Sequence, residues 1–218
     1  MNNNPKPRLS EYSIAEELAN SITHGIGALI SIIGSIILYI QANTYGTYLH
    51  VISYSIFGIS LITLYFSSTL YHSCSNTRFH KVLKKTDHLT IYFLIAGTYS
   101  PLMLVGIESN NGWIMFKIIW CLAIFSCFLK FSKNSFLQKI AFMNYLLMGW
   151  LVIIVFDELI IGIPLVSLYL LVAGGILYTT GVIFYLWDNL PFNHSIWHVF
   201  VLGGSTSHYF SIYFLTTH

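Results

Sequence analysis

The 218 residues are 56% hydrophobic and 8% charged, with a formal net charge of +2. A soluble globular domain is about a quarter charged, so too little polar surface exists here to wet a folded sphere, and the solvent must be a bilayer. The positive charge is spread over loops with no basic patch interleaved with aromatics, which argues against nucleic acid as a partner. Cys74, Cys121 and Cys127 are odd in number and lack paired spacing, which argues against a disulfide framework or a cysteine-rich zinc site.

Residues 1–21 read as a cytosolic N-terminal segment. They carry Lys6 and Arg8 but no short apolar stretch ending in a small-residue cleavage site, so the first apolar span is expected to stay in place as a helix. Ser13-Ile14-Ala15-Glu16 matches a capping box, and Ile14 and Leu18 share a face, which predicts a short interfacial helix. Residues 22–218 form the membrane domain. Apolar stretches of bilayer-crossing length recur through it, at approximately Ile22 to Ile40, Leu49 to Tyr71, Leu89 to Val105, Trp113 to Phe131, Leu137 to Phe156, Ile163 to Trp187 and Ser195 to Leu215.

The predicted fold is therefore all-α: a polytopic bundle of seven transmembrane helices, with no internal repeat. Gly34-Ser35 and Gly174-Gly175 are expected to allow close helix packing. Nine of the ten Lys and Arg residues fall on one side of such a bundle, and only Lys117 lies near the other, beside Glu108, Asp157 and Glu158. Positive loops are retained in the cytosol, so the N-terminus is predicted inside and the C-terminus outside.

Ionisable residues at membrane depth cost free energy and tend to mark function. Here they gather at the cytosolic helix ends: Glu17, Asn20 and His24 on the first helix, Ser68 and His72 on the second, Asp87 and His88 on the third, His194 and His198 on the seventh. His194 and His198 are spaced i, i+4, which puts two imidazoles on one helix face within reach of a single ion. His72 qualifies as a third ligand by depth, with Ser68 one turn deeper on the same face. Asp87 has several open roles: orienting an imidazole, binding the metal, hydrogen-bonding a bound water, or acting as general base. Any one of these histidines alone reads more simply as a packed or interfacial residue; their convergence is what favours a metal. His50, His80 and His218 read as solvated, and His208, deeper in the last helix, as paired with a neighbouring helix.

The order Glu17-x-x-Asn20-x-x-x-His24, Ser68-x-x-x-His72, Asp87 and His194-x-x-x-His198 resembles the hemolysin III family and the related progestin and adipoQ receptors, which include the adiponectin receptors. Ser67-Ser68-Thr69-Leu70-Tyr71-His72, Ala96-Gly97-Thr98-Tyr99-Ser100-Pro101 and His194-Ser195-Ile196-Trp197-His198 are similar to hemolysin III sequence, and the likeness covers nearly the whole chain. The resemblance implies a seven-helix fold in a bacterial inner (cell) membrane and a Zn2+ ion bound by His72, His194 and His198. It also implies that Asp87 lies near the zinc-bound water, that Ser68 is the family's serine, and that Glu17, Asn20 and His24 complete the first motif in a supporting role. The short N-terminus lacks the long cytosolic region of the animal receptors, so transfer of their hormone binding is not expected.

The expected activity is zinc-dependent hydrolysis of a membrane lipid amide such as ceramide, with Asp87 taking or relaying the proton and substrate entering from the bilayer past Tyr71, Tyr92 and Phe93. Two other readings stand beside it. One is a cytolysin, as the family name implies, although uniformly apolar spans suit no pore former that starts soluble. The other is a zinc-stabilised sensor without catalysis, which would call for a closed shell of four ligands. Retinal photochemistry is disfavoured, because the last helix has no lysine for a Schiff base. Membrane lipids are the expected partners, and nothing in the sequence sets an oligomeric state.

Overall fold

The computed structural model describes residues 12–75 and 77–217, which form seven helices. These are α1 (Ile14–Tyr45), α2 (Tyr48–Ser73), α3 (His80–Leu104), α4 (Asn110–Phe131), α5 (Ser135–Gly162), α6 (Leu165–Tyr185) and α7 (Asn193–Tyr213), followed by a 3-10 turn at Phe214–Thr217. Five of them, α1, α2, α4, α5 and α6, are long and apolar enough to cross a membrane. The polar residues of α3 and α7 keep those two below that composition, and these helices carry Asp87, His194 and His198.

Ser13 and Glu16 form the capping box expected from the sequence: Ser13 Oγ accepts from the Glu16 amide at 3.2 Å and Glu16 Oε2 from the Ser13 amide at 2.9 Å. The helix they start is continuous to Tyr45, however, so the predicted interfacial helix and first span are one element. No proline or glycine pair intervenes to break the backbone hydrogen bonds between them. Residues 1–11 of the predicted N-terminal segment lie outside the described residues.

The sidedness of α1 inverts that of a soluble protein. Its buried face carries Glu17, Asn20, His24, Gly27, Ala28 and Ser31, at the spacing that shares one side of a helix. Its exposed face carries Ile22, Ile26, Leu29, Ile30, Ile33, Ile36 and Ile40. In lipid an apolar exterior costs nothing, and small or polar residues hold helices together by close approach and hydrogen bonding.

Successive helices run up and down against their neighbours from α1 to α4, and α6 packs along α7, which returns against α1 to close the bundle. α5 packs on α4 and only lightly on α3 and α6. Buried and half-buried hydroxyls tie the helices to one another: Tyr54 donates to the Ile212 carbonyl at 2.7 Å, Tyr209 to Gly34 at 3.1 Å and Ser211 to Ser167 at 2.7 Å. In the middle of α5, Leu151–Val155 tighten to a 3-10 turn. Tyr99 accounts for its tolerance, donating to the Met148 carbonyl at 2.8 Å and accepting from the Val152 amide at 2.7 Å. Backbone groups in an apolar surrounding must find such partners.

Candidate metal centre

The beginnings of α1, α3 and α7 and the end of α2 meet at one end of the bundle. His194 and His198 lie on the inward face of the first turns of α7, and His72 lies at the penultimate position of α2. Phe192, just before α7, has a left-handed backbone (φ 58°), an uncommon conformation for a bulky residue. Its amide is held at 3.0 Å by Glu16 Oε1, so the side chain that closes the α1 capping box also fixes the entry to α7.

His72, His194 and His198 each present a ring nitrogen, and these atoms all lie within 4.8 Å of one another. All three residues are buried. His72 Nδ1 donates to Glu17 Oε2 at 2.6 Å, and His194 Nδ1 lies 3.1 Å from the Tyr12 hydroxyl. His198 Nδ1 lies 3.2 Å from Thr23 Oγ1. The Thr23 proton is already directed at the Ala19 and Asn20 carbonyls, at 2.8 and 2.9 Å, so Thr23 must accept from His198. That places the His198 proton on Nδ1 and leaves Nε2 as a lone-pair donor, as the Glu17 bond does for His72.

The fit to a metal rests on what remains. Nε2 of His72 and of His194 are enclosed by protein with no hydrogen-bond partner among the described residues. An enclosed polar atom without a partner costs about 1–3 kcal/mol, which coordination would recover. Three imidazoles, each with its other nitrogen fixed by an oxygen, form a donor set that could hold a divalent metal ion. The group could bind a metal ion as it stands.

Of the other sequence-predicted residues, His24 stacks on His198 with ring centroids 3.4 Å apart and planes 9° apart, and its Nδ1 lies 2.7 Å from Ser68 Oγ. Asn20 Oδ1 accepts from the Ser195 hydroxyl at 2.5 Å. Asp87 is buried, with Ser68 and His72 among its electrostatic neighbours, and stands outside the three-histidine cluster. Tyr12 and Thr23, which fix two of the three imidazoles, carry no sequence signal: one is a tyrosine ahead of a helix, the other a threonine beside a more conspicuous histidine.

Through His194 the cluster borders an interior cavity of about 390 Å³ lined mainly by α3, α5, α6 and α7. His24, Asp87 and His194 line one end, with Lys130 and His88 nearby, and the walls beyond are mostly aliphatic and aromatic. Tyr71, Tyr92 and Phe93 are not among its walls. Tyr71 lies tilted against both His72 and His80, and Tyr92 donates to the Ala141 carbonyl at 2.7 Å. The walls come instead from residues such as Ile91, Ile95, Tyr145 and Trp197. His80, expected to be solvated, is buried against Tyr71; His50 is part-exposed and bonds back to Thr47. His208 pairs with a neighbouring helix as expected, at the Leu171 carbonyl.

A family profile described as haemolysin-III related matches residues 12–209. The chain is 44% identical over 207 residues to Hemolysin-3 of Bacillus cereus, covering 95% of this chain and 94% of that protein. It is also 44% identical over 204 residues to the Hemolysin-3 homolog of Bacillus subtilis (strain 168), covering 93% and 95%. A more distant likeness, 28% identity over 208 residues, covers 91% of this chain and 83% of the human monocyte to macrophage differentiation factor. The helices, the histidine cluster and these likenesses agree: the chain is a membrane protein of the hemolysin III family.

Proposed function

We propose that the protein is a zinc-dependent hydrolase of a membrane lipid amide. In this reading all seven helices cross a bacterial cell membrane, with the N-terminus in the cytosol and the C-terminus outside. The observation that carries it is that a buried three-imidazole cluster touches, through His194, a largely apolar cavity inside the bundle. A site meant only to tie α2 to α7 has no need of such a volume beside it. The direction of crossing is supported by charge. Arg78, Lys81, Lys84, Lys85, Lys130, Lys133 and Lys139 all lie near the metal-site end, whereas Glu108, Asp157 and Glu158 lie at the other. Neighbouring relatives from Bacillus support a bacterial membrane.

Zinc at this position would supply Lewis-acid polarisation of a carbonyl and activation of water. The residues of the chain do the rest. His72, His194 and His198 would hold the ion, and Glu17, Tyr12 and Thr23 keep their rings from turning. Asp87, at the mouth of the cavity, holds the proton released by water and passes it to the leaving amine, and Ser68 orients its carboxylate. The aliphatic walls exclude bulk water and take the acyl chain. The sparse contact between α5 and α6 leaves a lateral way in from lipid.

The test is release of fatty acid from ceramide-type and ester lipids by purified protein carrying stoichiometric zinc. Release that stops on chelation and returns with added zinc is expected. Failure to release fatty acid from any of these lipids would contradict the reading.

A further inference from the structure

Farther along α7 from the metal cluster, one side chain lining the cavity keeps a ring nitrogen that neither helix packing nor the reaction uses. His208 lines the cavity from α7. Its Nε2 lies 3.1 Å from the Leu171 carbonyl, and a carbonyl can only accept, so Nε2 carries the proton. Nδ1 is then an acceptor, and it has no hydrogen-bond partner among the described residues. The position is built rather than incidental. The imidazole lies so close over Gly174 that a Cβ there would stand 2.2 Å from His208 Cδ2 and 2.4 Å from Nε2, so only glycine lets the ring reach α6.

Other polar groups in this part of the lining are closed within the protein. Tyr99 donates to Met148, Trp150 to Thr179 at 3.1 Å, and Tyr178 is bonded to Ser205 at 2.6 Å. A bundle that needed only a polar tie between α6 and α7 could use a group with nothing left over. An imidazole leaves one strong acceptor, Nδ1, on a half-buried ring that lines a largely apolar cavity, and a ligand that brings a donor there gains a hydrogen bond that a plain chain does not.

We propose that His208 is a specificity-determining residue that selects a lipid chain bearing a hydroxyl group partway along its length. This rests on the reading that the cavity takes an acyl chain whose polar head lies at the metal cluster. Ten residues separate His198 from His208 on one helix, a rise of about 15 Å, which an extended chain of about a dozen carbons spans. A hydroxyl near that carbon donates to Nδ1. A plain chain leaves Nδ1 unpaired, and a hydroxyl beside the head group falls too far from it to help.

The experiment compares stearate, 2-hydroxystearate and 12-hydroxystearate as competitors for a fluorescent fatty acid on the purified, detergent-solubilised protein. The wild-type protein is expected to bind 12-hydroxystearate roughly three- to tenfold more tightly than the other two, the factor of one neutral hydrogen bond. His208→Phe should abolish the preference while holding stearate within about twofold, and His208→Gln, which keeps an acceptor, should retain part of it. Equal affinity for all three acids, or a preference that survives His208→Phe, overturns the proposal. If His208→Phe does not fold, the positional comparison on the wild-type protein decides alone. Binding of stearate without hydroxyl preference sinks only the role of His208, whereas no binding of any fatty acid sinks the acyl-cavity reading and this inference with it.

Discussion

The two walls of the interior are built on opposite principles. On the side of α1, α2 and α7, each imidazole of the histidine cluster has its Nδ1 fixed by a side-chain oxygen, and all three oxygens come from Tyr12 and the first turns of α1. On the side of α5 and α6, the walls are aliphatic and aromatic, α5 is interrupted by its 3-10 turn, and Gly149 faces open space. A metal ion requires a fixed geometry and rewards the first arrangement. A flexible chain requires only volume and dryness, which the second supplies.

Substitutions at each wall should therefore fail in different ways. The largest effect is expected where the two meet: Asp87→Asn should lower the hydrolysis rate by about 10²- to 10⁴-fold with bound zinc unchanged, measured by fatty acid release beside metal content. On the rigid wall, Glu17→Gln removes the carboxylate behind His72 and should weaken zinc about 10- to 100-fold, read by competition with a chromogenic chelator. On the apolar wall, a Cβ at Gly149 would meet nothing within 4 Å, so Gly149→Leu should be accommodated without strain while occupying chain volume. It should raise the KM for a long-chain substrate by roughly tenfold and leave zinc affinity alone. The smallest effect is expected for Thr23→Val, which leaves the His198 Nδ1 proton without its acceptor. A loss of about 1–3 kcal/mol in thermal stability of the zinc-loaded protein should be visible by differential scanning fluorimetry. A loss of zinc on Gly149→Leu, or a change in KM alone on Glu17→Gln, would erase the distinction between the walls.

Much of the rigid wall is legible in the sequence, because its residues are expensive in a membrane. His194 and His198 declare a shared helix face by spacing, and Glu17, Asn20 and His24 stand out in an otherwise apolar run. Helix positions are legible for the same reason: the span read at Leu49 to Tyr71 corresponds to α2 at Tyr48–Ser73, and that at Trp113 to Phe131 to α4 at Asn110–Phe131. Where capping residues extend a helix beyond its apolar run, the span understates it, as at Ile22 to Ile40 against Ile14–Tyr45.

The apolar wall is not legible. Tyr92 and Phe93 sit beside the site in sequence, yet which face of α3 looks inward depends on packing against α2, α4 and α5. The cavity is lined from α3 by Ile91, Leu94, Ile95 and Thr98 instead. Gly174 reads as a packing glycine, but its close approach to His208 becomes visible only once α6 and α7 are side by side.

The most direct measurement is the zinc content of the detergent-purified protein beside His72→Ala and His198→Ala. The account predicts close to one zinc per chain in the wild-type protein and loss of most of it in each variant. Zinc retained at the wild-type level by both variants would contradict it, because the ion would then be held by residues other than the three that converge between α2 and α7.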